Sequence, residues 1–208
     1  MLFSISIPLP SIVGVKFMRQ YCSQMSRIDI QPLTIDNLRP YGWLLGKTFR
    51  LDCSVPAFSN REMDFREEHI FNSGIGGETQ VLWVSYRDSS REVSRLEVHR
   101  LTQQAIVPLT GEIIQVVAGS EQDGSPDISS MRAFRVRVGE GICMRAGCWH
   151  TTRVDTHEVT CLMLTRRSTT IDLIAHLTSG SPLSESAISA VDRKLLGVER
   201  GVAGLGDR

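Results

Sequence analysis

Four side chains with donor atoms fall into two short runs of regular spacing, Glu97-x-His99-x4-Gln104-x6-Gly111 and Gly139-x5-Arg145-x-Gly147-x2-His150. Positions i and i+2 of a strand share a face, so Glu97 and His99 are expected to point together. Gln104 is expected to return from the next strand, across a short turn, to the same point. The second run then adds one more imidazole, His150. One carboxylate, one amide oxygen and two imidazole nitrogens are oxygen and nitrogen donors suited to a divalent first-row ion of unspecified identity. Without a metal the same four groups make a polar pocket.

The elements that must position these residues read as strands. From Ile28 onward, short mixed segments alternate with turn residues, which is the pattern of an all-β barrel or sandwich. Strands are predicted over 67–71, 81–86, 94–99, 104–108, 112–118, 131–138, 141–144 and 159–165. The stretch from Thr34 to Leu38 predicts one helical turn, with Thr34 as N-cap and Pro40 preventing continuation. In 131–138 the residues Phe134, Val136 and Val138 alternate with Arg135 and Arg137, so the two arginines are expected to face solvent. Between Ser184 and Val198, Ile188, Val191, Leu195 and Leu196 stand at near-helical spacing, predicting a C-terminal amphipathic helix. The expected organisation is a flexible extension over 1–24, a barrel domain over 25–170, and a helical segment with a disordered tail over 171–208.

Composition narrows the function. Lys and Arg total 23 and Asp and Glu total 23, so no general electrostatic attraction to nucleic acid or to an anionic membrane exists. A discrete small-molecule site is the expected partner surface. Cys22, Cys53, Cys143, Cys148 and Cys161 contain no C-x-x-C pair. They are read as reduced, buried thiols of an intracellular, cytoplasmic protein rather than as metal ligands. Pro8 and Pro10 interrupt the one hydrophobic stretch, so no spanning helix is expected. Residues 1–24 are read as a nonstructural extension, with organellar targeting, or a translation start at Met25, as the other readings.

The two runs have the spacing of the first and second cupin motifs, with Arg145 where proline is usual. Beyond them, Leu96-Glu97-x-His99, Gln104-Ala105-x-Val107-Pro108-Leu109, Pro126-Asp127, Arg132-Ala133-Phe134, Gly139 to Gly141 and Trp149-His150 occur in one order. In that ordered set the chain resembles the ureidoglycolate lyase family, most closely over residues 94 to 152. The resemblance implies an all-β, cupin-type, jelly-roll-like barrel and a homodimer, with no organic cofactor. It also implies a lyase that splits ureidoglycolate, a small carboxylate, into glyoxylate and urea in purine degradation. Under it Glu97, His99, His150 and Arg132 are the catalytic candidates. Gln104, Trp149 and Arg132 are expected to bind substrate, and Glu97, His99, Gln104 and His150 to hold a divalent metal ion if one is bound.

The chain also departs from the family pattern, with Val98 where arginine is common, Ile106 where phenylalanine is, and Thr151 where a second histidine is. Ile75 to Thr79 lacks the arginine that many members carry. These changes alter the pocket and leave the barrel alone. Two further readings therefore stand beside the first: the same barrel acting as lyase, isomerase or cyclase on another carbonyl or carboxylate compound, and a non-catalytic binding module.

Overall fold

The computed structural model describes residues 26–49 and 54–199. The expected extension over 1–24, the Met25 start and the tail from Gly201 onward lie outside these residues. Two layers of strand make the molecule. One is a closed barrel of six strands in the order β1 (Ser26–Gln31), β13 (Ser186–Glu199), β6 (Glu92–His99), β11 (Trp149–Val154), β8 (Ile113–Ser120) and β9 (Pro126–Val136). The other is a five-stranded sheet in the order β2 (Gly42–Leu45), β10 (Gly141–Met144), β7 (Gln104–Pro108), β12 (Val159–Arg166) and β5 (Thr79–Tyr86). A small hairpin pairs β3 (Ala57–Ser59) with β4 (Asp64–Arg66).

Strand alternation builds two cores from these layers. Ile28, Val93, Leu96, Val98, Ile114, Val116 and Trp149 fill the inside of the six-stranded barrel. Ile106, Ile113, Val117, Phe134, Ile142, Cys161 and Met163 fill the space between the barrel wall and the five-stranded sheet. β8 contributes to both, which is why its sequence from Ile113 to Ala118 is an almost continuous apolar run. The one polar residue of that run, Gln115, is fully buried and accepts a hydrogen bond from Thr152 Oγ1 at 2.9 Å.

Helix α1 (Ile35–Leu38) is capped as predicted, with Thr34 Oγ1 accepting from Asn37 N at 3.2 Å. The C-terminal region departs from expectation. The helix is α2 (Arg167–Ser179), which ends at Gly180 in the left-handed conformation (φ 68°). Residues 186–199 are instead the long strand β13, filling the gap between β6 and β1. The physical reason is a register shift between Ala190 and Lys194. An irregular strand can bury residues four or five apart, and Ala187, Val191 and Leu196 all reach the barrel core. The strand predicted over 67–71 is also absent. Its backbone is tied irregularly, with Glu67 N donating to Pro56 O and Asn72 N to Gln103 Oε1, so no ladder forms.

Arg135 lies on the outer face of β9 as the alternation predicts and Arg137 follows the end of the strand, but Arg135 is not simply solvated. It bridges Glu112 at 3.2 Å and Asp155 at 2.8 Å. Arg145, in the place of the usual proline, lies 4.0 Å above the ring of Trp43, which in turn stacks on His69.

Candidate active site

On β6 the even positions Leu96 and Val98 enter the barrel core, so Glu97 and His99 project to the opposite face, toward the five-stranded sheet. β11 pairs with β6 at a single register position, His150 opposite Glu97. The turn before β11 is anchored to the same place, because Gly147, at φ 79°, donates its N–H to His99 O at 2.8 Å. That bond ties the second run to the end of the first. Gln104, the first residue of β7, comes in from the facing sheet and is buried.

The four side chains meet as predicted. His150 Nε2 lies 3.3 Å from Glu97 Oε1, His99 Nε2 lies 4.0 Å from the same oxygen, and Gln104 Nε2 lies 3.1 Å from His99 Nε2. The two imidazoles meet edge to face, with centroids 5.2 Å apart. Each ring is oriented through its other nitrogen: His150 Nδ1 donates to Cys148 O at 3.0 Å, and His99 Nδ1 pairs with Ser186 Oγ at 3.0 Å. Ser186 belongs to β13, and reading that segment as a helix left no signal for its role.

The electrostatics follow from crowding these groups together. Burial raises the Glu97 carboxyl, but the adjacent His150 and His99 outweigh it and hold the group below its ordinary range. Burial, reinforced by His150, pushes the His99 imidazole down to about 4, with Glu97 opposing. Glu97 is therefore an anion, and His99 is neutral, at neutral pH.

The donor set fits a metal ion. His150 Nε2 is buried and without a hydrogen-bond partner, and the donor atoms of Glu97, His99 and His150 all lie within 4.8 Å of one another. Imidazoles whose second nitrogen is fixed by the protein are the usual form of such ligands.

Beside this centre is a cavity of about 290 Å3 between the barrel wall and the sheet, covered by α2. Leu82, Val84, Tyr86 and Met163 line it from the strands, and Leu173 and Leu177 from the helix. No lysine or arginine is among the described residues that line it.

Two expected site residues lie elsewhere. Trp149 precedes His150 on one strand and so points the other way, into the barrel core, where it is 3% exposed. Arg132 sits opposite Val117, which sits opposite His150, so two strand spacings of roughly 5 Å each separate their backbones. Its guanidinium donates to Ser129 O and Met131 O and lines a different depression, with Arg27, Asp29 and Lys194. Cys143, Cys148 and Cys161 are free, buried thiols that burial raises to about 12, 12 and 11, as expected of small hydrophobes.

Among solved structures, RmlC from Streptococcus suis in complex with dTDP-D-xylose gives a TM-score of 0.37 at 12% identity, over 53% of this chain and 60% of its own. The ureidoglycolate lyase of Rhodobacter capsulatus is 28% identical over 127 residues, covering 61% of this chain and 77% of that protein. A ureidoglycolate lyase from Escherichia coli is 36% identical over 58 residues, 28% of this chain and 36% of its own. The model of the family described as ureidoglycolate lyase matches residues 25–179, a span that holds both runs and all four converging side chains, and the chain therefore belongs to the ureidoglycolate lyase family.

Proposed function

We propose that this chain is a carbon–nitrogen lyase of the ureidoglycolate type, splitting ureidoglycolate into glyoxylate and urea. Family membership supports the reaction class. The observation that carries the chemistry is the 3.3 Å approach of His150 Nε2 to Glu97 Oε1. Because Cys148 O can only accept, His150 Nδ1 must carry a proton. A neutral His150 would then face the carboxylate with a lone pair, and two acceptors at that distance repel. A proton or a cation between them removes the conflict.

With a proton there, the pair is an acid and a base in contact. Glu97 takes the proton of the substrate's carbinol hydroxyl, the C–O bond becomes C=O, and the C–N bond breaks. His150 gives its proton to the departing urea nitrogen, and Glu97 returns the abstracted proton to His150 across the short gap. Paired proton transfers of this kind contribute about 10²- to 10⁴-fold each. His99, neutral and held by Ser186, positions Gln104, whose amide is then available to the urea carbonyl or amine.

Glu97, His99 and His150, with Gln104 as a fourth donor, would hold a divalent ion. Such an ion would supply Lewis acidity toward the hydroxyl. The free buried thiols fit a reducing, intracellular setting. A homodimer is supported by apolar side chains on the outer face of the five-stranded sheet, where Val81 is 61% and Trp83 70% exposed. Equal release of urea and glyoxylate from racemic ureidoglycolate tests the proposed reaction, and sedimentation of the purified chain tests the dimer.

A further inference from the structure

Burial alternates strictly along β12, and Val159, Cys161, Met163 and Thr165 are its buried positions, facing the barrel wall. The first three pack in the apolar core between the layers, but Thr165 ends the row with a hydroxyl. That side chain is 3% exposed, and its Oγ1 has no hydrogen-bond partner among the described residues. A buried hydroxyl left unpaired destabilises a fold, and valine would fill the same space without that penalty. Thr165 lines the cavity that also holds Glu97, His99 and Gln104. The other threonine hydroxyls of that lining are committed: Thr169 Oγ1 donates to Glu185 at 2.5 Å, and Thr170 Oγ1 lies between Gln80 Nε2 and Arg166 O. β12 runs antiparallel to β7 with Leu164 opposite Ala105, so the next residue of each strand, Thr165 and Gln104, stand side by side roughly 5 Å apart. Gln104 Nε2 donates to His99 Nε2 at 3.1 Å, which leaves Gln104 Oε1 as an acceptor beside the Thr165 donor. An acceptor and a donor at adjacent positions match one edge of a urea, whose terminal amine donates while its carbonyl accepts.

We infer that Thr165 is a specificity-determining residue of the proposed reaction: with Gln104 it binds the carbamoyl end of the substrate, Thr165 Oγ1 donating to the urea carbonyl and Gln104 Oε1 accepting from the terminal amine. The inference rests on the lyase reading of Glu97 and His150. It gives the substrate one direction in the site, with the urea against the five-stranded sheet, the departing nitrogen beside Glu97 and His150, and the carboxylate at the end away from Thr165. A compound without the carbamoyl group leaves both Thr165 and Gln104 unpaired, which is how such a site rejects it.

Thr165→Val and Thr165→Ser are compared with the unaltered chain. In urea release from ureidoglycolate, Thr165→Val is expected to raise KM about tenfold and to change kcat by less than about threefold, because the contact is present in substrate and transition state alike. Thr165→Ser, which keeps the hydroxyl, is expected to hold KM within about threefold. Two unreactive ligands locate the contact. Ureidoacetate carries the carbamoyl group, and 4-methylpentanoate has the same length and the same carboxylate with hydrocarbon in place of the urea. By calorimetric titration, Thr165→Val is expected to weaken ureidoacetate about tenfold and to lower its preference over 4-methylpentanoate by a similar factor. Without ligand, Thr165→Val is expected to melt no lower than the unaltered chain, since no partner of the hydroxyl is lost. A Thr165→Val that keeps the full kcat/KM, weakens both ligands equally, or melts several degrees lower would overturn the inference and leave the lyase intact. No urea from the unaltered chain would overturn both.

Discussion

Glu97 and His150 stand directly opposite each other across the only register position that joins β6 to β11 among the described residues. Their side chains project to the same face and bring Oε1 and Nε2 to 3.3 Å. Because both strands also pack on the barrel core through Leu96, Val98 and Trp149, the pair is fixed by the scaffold rather than by a loop. Preorganisation of this kind is what proton transfer in a carbinolamide cleavage requires.

Glu97→Gln keeps the volume and removes the base. Urea release per folded molecule is expected to fall by at least about 10²-fold, with an unchanged circular dichroism spectrum. The residual rate should also lack the acidic fall expected of the unaltered enzyme below the ordinary carboxylate range, where Glu97 becomes protonated.

The close, largely buried donor set of Glu97, His99 and His150 leads us to expect one divalent first-row ion per chain. Equilibrium dialysis of chelator-treated protein against zinc or manganese measures it directly. His99→Ala and His150→Ala are each expected to weaken binding at least tenfold, while Arg135→Ala leaves it unchanged.

His99 gives a pH dependence with a definite sign. Its folded value is pushed down to about 4, below the ordinary 6.5, so between these values the unfolded chain binds more protons. Stability is therefore complete above pH 6.5 and is lost as pH falls toward 4, by about 3 kcal/mol from this group. Chemical denaturation with chelator present, at pH 7.5 and pH 4.5, should show the loss in the unaltered chain and a smaller one in His99→Gln.

Trp149 and Arg135 separate core from surface. Trp149→Ala removes a side chain that is 3% exposed and packed inside the barrel, so a loss of about 3–5 kcal/mol is expected in denaturant titration. Arg135→Ala breaks partly exposed ion pairs with Glu112 and Asp155, and about 1 kcal/mol or less is expected. Its urea-release rate should stay within twofold of the unaltered enzyme.

Much of this arrangement was legible in the amino-acid order. β7 and β10 lie at their predicted bounds because each is a short run delimited by turn residues. The convergence of Glu97, His99, Gln104 and His150 followed from spacing and the two-residue period of strands. That same period shows why Trp149 cannot share a face with His150, so its expected place in the pocket was avoidable. Arg132 was placed by resemblance alone, and strand order, which one segment's pattern does not reveal, sets it two strands away. β13 was illegible because its pairing with β6 and β1 is wholly nonlocal, and its bulge imitates a helical period. Ser186 and the helical cover over the cavity were lost with it.

The most direct measurement of the central claim is urea and glyoxylate release from racemic ureidoglycolate by the unaltered chain and by His150→Ala, each first shown to be folded. The Glu97–His150 mechanism predicts that the unaltered chain releases the two products in equal amounts and that the variant is slower by at least about 10²-fold. A folded His150→Ala that keeps the full rate would contradict it.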